Sequence, residues 1–313
     1  MLKLTAANVL RAVAVFFVVT LTTFVLVYAN PMAIARNLMG INATEAAVQA
    51  KAEQLGLDQP VLQQYWQWLQ ALFRGDLGTS YYTGQEVTDT LAIRLPVTLA
   101  IMIVVLLLTI VFSVVVGAVA ATRGGWVDRM LQFISVAFSA VPSFIVAIVL
   151  VFAFAIALPI FPATGYVPIE DGLGAWAASI ALPVTAILLG SVASAAAQFR
   201  SAVKDVLDRD FVRTLRARGV PERLIIYKHV LRSAGGPGLT VLALLTVGLV
   251  GGVVIIEQVF ALPGMGALVT TASSGGDIPV VMGCVAVTVI LVSIVNLLAD
   301  LATAALNPKV RAA

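Results

Sequence analysis

The sequence predicts an all-α fold, a polytopic membrane protein with six transmembrane helices and both termini on the same side. Three observations predict it. Of 313 residues, 60% are hydrophobic and only 11% are charged, with a mean hydropathy of +1.03; soluble domains carry about 25% charged residues. Six uncharged windows are each long enough to cross a hydrocarbon layer, which takes about 20 helical residues. One long polar segment, Arg200 to Arg232, interrupts them and holds nine of the nineteen Lys and Arg.

The windows lie at 12–35, 95–122, 130–169, 172–199, 233–256 and 278–299. The first follows Lys3 and Arg11, in the manner of a signal peptide, but the apolar run over 12–29 exceeds the usual ~7–15 residues of such a leader. It is read as a membrane helix within 1–29. An external amphipathic region at 30–94 is expected to separate it from the second window. There Val61, Leu62, Tyr65, Trp66, Leu69, Leu72 and Phe73 recur at helical spacing, and Trp66 and Trp68 favour a membrane interface. The predicted core of five further spans covers 95–300, with a tail at 301–313.

The third window is long enough for one span plus a Pro-rich turn at Pro159, Pro162 and Pro168. Pro142 between Ser139 and Ser143 predicts a bent helix, since proline frees backbone groups that neighbours or water must satisfy. These three, with Ser191 and Ser194 of the fourth window, are candidate pathway-lining residues. The small residues Ser191 to Ala197, and Gly248 and Gly252 at GxxxG spacing, predict close helix packing. Glu257 closes the fifth window, either facing the cavity or hydrated at the interface.

Orientation follows from the basic residues. Placing the N-terminus in the cytoplasm puts fifteen Lys and Arg inside, among them Lys309 and Arg311, and leaves Arg36, Lys51, Arg74 and Arg94 outside. The 200–232 segment is then cytoplasmic, and its punctuation is that of a helix-turn-helix. Asp210 caps a short helix through Arg218, Gly219 ends it, and Pro221 and Glu222 suit the first turn of a second. A structured basic elbow between spans reads as a docking surface for a soluble partner; a loop that fixes topology or touches anionic lipid is the plainer reading.

Several chemistries are excluded by what the chain lacks. It has no GxxxxGK[ST] loop, HExxH, GxSxG or CxxC. His229 is the only histidine and Cys284 the only cysteine, so neither a multi-histidine metal site nor an internal disulfide forms. The span centres lack the acids and bases of an ion relay. Catalytic residues are therefore not expected, nor is a cofactor or metal bound by this chain, and a partner must supply the energy.

The elbow DFVRTLRARG at 210–219, followed by KHVLR at 228–232, resembles the EAA loop of ABC-importer permeases. LGLDQP at 55–60, GDLGTSY at 75–81, RLPVTLAI at 94–101, EQVFALPGMGALV at 257–269 and DIPVV at 277–281 narrow the resemblance to the dipeptide/oligopeptide permease family. It implies that Asp210, Arg213, Thr214, Leu215, Arg216, Ala217, Arg218 and Gly219 form a coupling helix seated on a cytoplasmic ATP-binding subunit. Arg213, Thr214 and Leu215 take the EAA positions, Arg213 replacing the acid that names the loop. The first span ends in ANPMAIAR at 29–36 where the family often has a PGDP-like turn, and Gly276 stands where it has the Arg of RDYP.

The resemblance further implies a bacterial inner-membrane location. It implies a second homologous permease, two ATP-binding subunits that carry ATP and Mg, and an external substrate-binding protein. Membrane lipid surrounds the chain, peptides are its substrates, and nucleic acid is not a partner. The competing reading is a non-transporting membrane subunit that recruits a soluble regulator through the basic loop.

Overall fold

The computed structural model describes residues 2–40 and 42–306, with side-chain surroundings for 8–40, 42–235 and 248–301. The expectations on Lys3, Lys309, Arg311 and the end of the 301–313 tail lie outside them. The elements in order are α1 (Leu2–Val27), α2 (Pro31–Met39), α3 (Glu45–Gln54), α4 (Val61–Phe73), α5 (Val87–Arg123), α6 (Gly125–Ala140) and α7 (Ser143–Val151). They continue with α8 (Leu173–Leu207), α9 (Asp210–Ala217), α10 (Glu222–Leu224), α11 (Leu231–Val259), α12 (Met265–Gly275) and α13 (Ile278–Leu306). A π-helical turn extends α7 over Phe152–Ala157, and another joins α10 to α11 over Ile225–Val230. Among the described residues the β-pairing is one isolated bridge, Thr79 to Glu86.

Among the described residues, four helices are long and apolar enough to cross a membrane: α1 over Asn8–Val27, α5, α8, and α13 over Ile278–Leu301. The α6–α7 pair makes a fifth if it is counted as one span, although it bends by 91°. The expected bend is a break, and its cause is local. Val141 is extended (φ −87°, ψ 122°) because the ring of Pro142 bars it from helical geometry, and Ser143 starts a new helix. The fifth expected window, 233–256, falls on α11, whose residues 236–247 lie outside the described side chains.

The chain divides into two compact units. The central unit comprises Leu99–Leu262 and the stretch from Ile294. Its spine is α8, which packs against α6, α7 and α11. The small residues pay off here: Ala193, Ala195 and Ala196 are buried, and a Cβ on Gly117 of α5 would stand 2.8 Å from the Ala196 carbonyl oxygen. Gly248 and Gly252 do not act this way among the described residues of this chain, where a Cβ on either meets nothing within 4 Å.

The amino-terminal unit comprises Leu2–Thr98 with Pro263–Ser293. Asn30 caps α2 by accepting the Ala33 N–H at 3.1 Å, with Pro31 as first helical residue, so the span turns sharply into α2. Phe24 stacks on Tyr28 at 4.2 Å, and Tyr65 of α4 reaches Thr20 of α1 through its hydroxyl at 2.9 Å. The predicted α4 stripe is split: Tyr65 and Leu69 are buried, while Leu62, Trp66 and Phe73 are exposed at 69%, 59% and 77%.

A polar latch closes this unit. Asp277 is buried; its carboxylate accepts from the Ser80 hydroxyl at 2.5 Å and the Tyr81 N–H at 3.1 Å. Ser80 Oγ in turn accepts the N–H groups of Tyr82 and Thr83 at 3.3 and 3.1 Å. Thr98 Oγ1 accepts the Met265 N–H at 2.9 Å, and a Cβ on Gly78 would touch Pro279 at 3.4 Å. Within this unit the motif at 75–81 thus bonds to the one at 277–281, and Thr98 of the motif at 94–101 bonds to Met265 of the motif at 257–269.

Candidate functional site

The elbow is built on the end of α8. After Asp208 and Arg209 the chain enters α9, which Val212, its one buried residue, holds in an apolar cluster of Phe199, Val203, Val206, Ile225, Val230 and Ala234. The α9 helix ends where Gly219 turns left-handed at φ +73°. The Gly219 N–H donates to Arg216 O at 2.9 Å and the Val220 N–H to Leu215 O at 3.1 Å, a Schellman ending that satisfies two carbonyls at once. Val220 and Leu215 both pack on the same cluster. Rigid docking of so short a helix leaves its polar face free: Asp210, Arg213, Thr214, Arg216, Ala217 and Arg218 are exposed, and Leu215 is half-buried.

One sequence expectation is corrected by the structure. Asp210 does not cap α9: Arg209 is the cap residue without a side-chain bond, and Asp210 lies inside the first turn, where its charge still favours the positive helix end. The second expected helix does start after Pro221, at Glu222. It runs through the π-helical turn into α11, so the elbow has one free helix and one continuous with the next long helix.

Arg216 and Glu222 clamp the turn, with Nε to Oε2 at 3.1 Å and Nη2 to Oε1 at 2.6 Å. The Arg216 hydrogen bond, aided by its charge, holds the Glu222 carboxyl below its ordinary range. A lowered carboxyl contributes stability above its unfolded pKa and loses it as pH falls through the folded one. Acidification below about pH 4 is therefore expected to loosen the turn, by less than about 1 kcal/mol because both groups are half-exposed. A lower amide protection factor at Val220 in acid, matched at neutral pH by Arg216→Gln, is the measurement; equal protection in the variant and wild type contradicts it.

Seven residues before α8 ends, Arg200 grips Asp128 of α6 with both Nε and Nη2, the latter at 2.7 Å, and Lys204 adds Nζ at 2.8 Å. Sequence reading missed this triad, because its partners are 72 and 76 residues apart and each reads as an ordinary charge at a helix end. Of the pathway candidates, Ser139 and Pro142 are exposed and Ser143, Ser191 and Ser194 half-buried. Gly190 lies 3.6 Å from the Phe138 carbonyl oxygen by its would-be Cβ, which brings the α6 break beside Ser191. Glu257 is fully buried, so it is not the hydrated interfacial acid of the second expectation.

An all-helical chain with several membrane-crossing helices and a rigidly mounted basic elbow between two of them is a multi-pass membrane protein. The chain belongs to the family of binding-protein-dependent transport system inner membrane components, whose model matches residues 113–312, with the family's N-terminal model matching 1–102. It is similar to a putative peptide transport system permease of Brucella abortus, at 36% identity over 312 residues, 99% of each chain. A probable peptide ABC transporter permease of Sinorhizobium fredii is 33% identical over 305 residues, 97% of each chain. A glutathione transport system permease of Escherichia coli is 32% identical over 313 residues, 99% of each chain. The chain is therefore a transport subunit of an ABC importer and not an enzyme, and the non-transporting recruiter is set aside.

Proposed function

We propose that this chain carries peptides inward as one of two homologous permease subunits, with six spans and both termini in the cytoplasm. In this reading α9 is the coupling helix. Arg213 and Thr214 face a groove on one of two ATP-binding subunits, which hold the ATP and Mg, while an external binding protein delivers the substrate. Nucleotide-driven closure of those subunits moves α9 as a rigid body and opens the path. A pathway of serines and backbone, without strong charge, suits a peptide backbone whose side chains vary. The observation that carries the reading is the elbow itself: a helix fixed by one buried valine and a Schellman turn, with every other polar residue exposed. The peptide relatives supply the substrate class.

Gly219→Pro tests it. Proline fixes φ near −65° and removes the N–H that Arg216 O accepts, so neither the +73° turn nor its bond survives. In the complex purified from membranes, the variant is expected to lose ATP-binding subunits or to retain their hydrolysis while losing transport. Gly219→Asn, which tolerates the left-handed region, is expected to keep both. Wild-type chain that never co-purifies with an ATPase overturns the reading.

A further inference from the structure

Helix α6 is held to its unit by an unusual seam. Its buried residues are Asp128 and Ser135, both polar, while Phe133 and Val136 are 76% and 67% exposed. An apolar seam lets one helix slide on another. Here instead two cations one turn apart on α8 grip one carboxylate, Arg200 in the bidentate form that fixes direction as well as distance. Side-chain exposure is 18% for Arg200 and 10% for Asp128, so water competes little.

The triad also stands between two parts that must act together. On one side, α8 continues without a break for seven residues, about 10 Å, and over that length its Val203 and Val206 belong to the cluster that fixes α9 through Val212. On the other, α6 continues for twelve residues, about 18 Å, from Asp128 to the break at Val141 and Pro142. A displacement of α9 that tilts the end of α8 carries Asp128 with it, and α6 acts as the lever arm.

We propose that Asp128, Arg200 and Lys204 form a joint that transmits movement of α9 to α6, and so to the break beside the candidate pathway. They are positioning residues, and the inference rests on the reading of α9 as the coupling helix. A plain staple would hold the fold without making α6 follow α9.

Pulsed spin-label distances separate the two, in the complete transporter with Cys284→Ser and labels replacing Phe133 on α6 and Phe211 on α9. In wild type the interval is expected to stay narrow and unchanged between the nucleotide-free state and ATP with orthovanadate, the two helices moving as one body. Asp128→Asn leaves two cations facing a neutral amide. It is expected to broaden the interval by about twofold with ATP and orthovanadate, and to lower transport per ATP hydrolysed. The exchanged pair, Asp128→Arg with Arg200→Asp, restores one carboxylate between two cations and is expected to narrow it again; this control also separates lost coupling from lost folding. An interval in Asp128→Asn as narrow as wild type in both states, or an exchanged pair that restores nothing, overturns the joint. A Phe211 label whose mobility is indifferent to the ATP-binding subunits overturns instead the reading on which it rests, and the joint with it.

Discussion

Gly117→Leu is expected to destabilise the chain by about 3 kcal/mol or more and to abolish recovery of folded protein from the membrane. The first atom of any side chain there stands 2.8 Å from the Ala196 carbonyl oxygen, 3.0 Å from the Arg200 nitrogen and 3.1 Å from the Phe199 ring. Two of those neighbours are backbone, so no rotamer change makes room; α5 or α8 must move, and Arg200 with it. Even Gly117→Ala meets the same atoms and should lower the unfolding temperature in detergent. Gly248→Ala is the control, because its Cβ enters open space and alanine gains up to about 1 kcal/mol of helix propensity over glycine. Equal melting temperatures for the two alanine variants contradict the argument.

Asp277→Ala is expected to cost about 3 kcal/mol and to act on a segment far away in sequence. Removing the carboxylate leaves the Ser80 hydroxyl and the Tyr81 N–H without their acceptor in a buried position. An unmet buried donor costs more than the bond was worth, so the turn over 79–84 should open. Limited proteolysis and amide exchange around Tyr81 and Thr83 report it. Asp277→Asn keeps one acceptor oxygen and should open the turn less. Protection at Tyr81 unchanged in Asp277→Ala sinks the proposal that this carboxylate holds the segment.

What was legible in the sequence is what local chemistry dictates. Gly219 before Val-Pro reads as a left-handed helix ending, and it is one; Pro142 reads as an interruption, and it is one. Four long apolar helices fall in windows that the sequence predicts, because hydropathy is a property of short stretches. What failed needed distant partners. A GxxxG spacing marks two glycines able to meet a neighbour, yet among the described residues of this chain a Cβ on Gly248 or Gly252 would meet nothing within 4 Å, while one on Gly117, without any motif, would meet backbone. The α4 periodicity shows that one side is apolar, but Leu62, Trp66 and Phe73 are exposed in the chain itself. The Asp128 triad was invisible for the same reason: a charge near the start of a helix looks alike whether water or Arg200 faces it.

The latch between Ser80 and Asp277 has a consequence for how the protein is made. Its partners are 197 residues apart, and a ribosome adding about 5–20 residues per second needs some 10–40 seconds to go from one to the other. Through that interval the turn at 79–84 has left the ribosome without its acceptor. Nascent chains halted before residue 277 should therefore carry a protease-sensitive turn that becomes resistant once the last long helix has been synthesised. Completion of the amino-terminal unit is a late event of biogenesis, even though most of its residues are synthesised first.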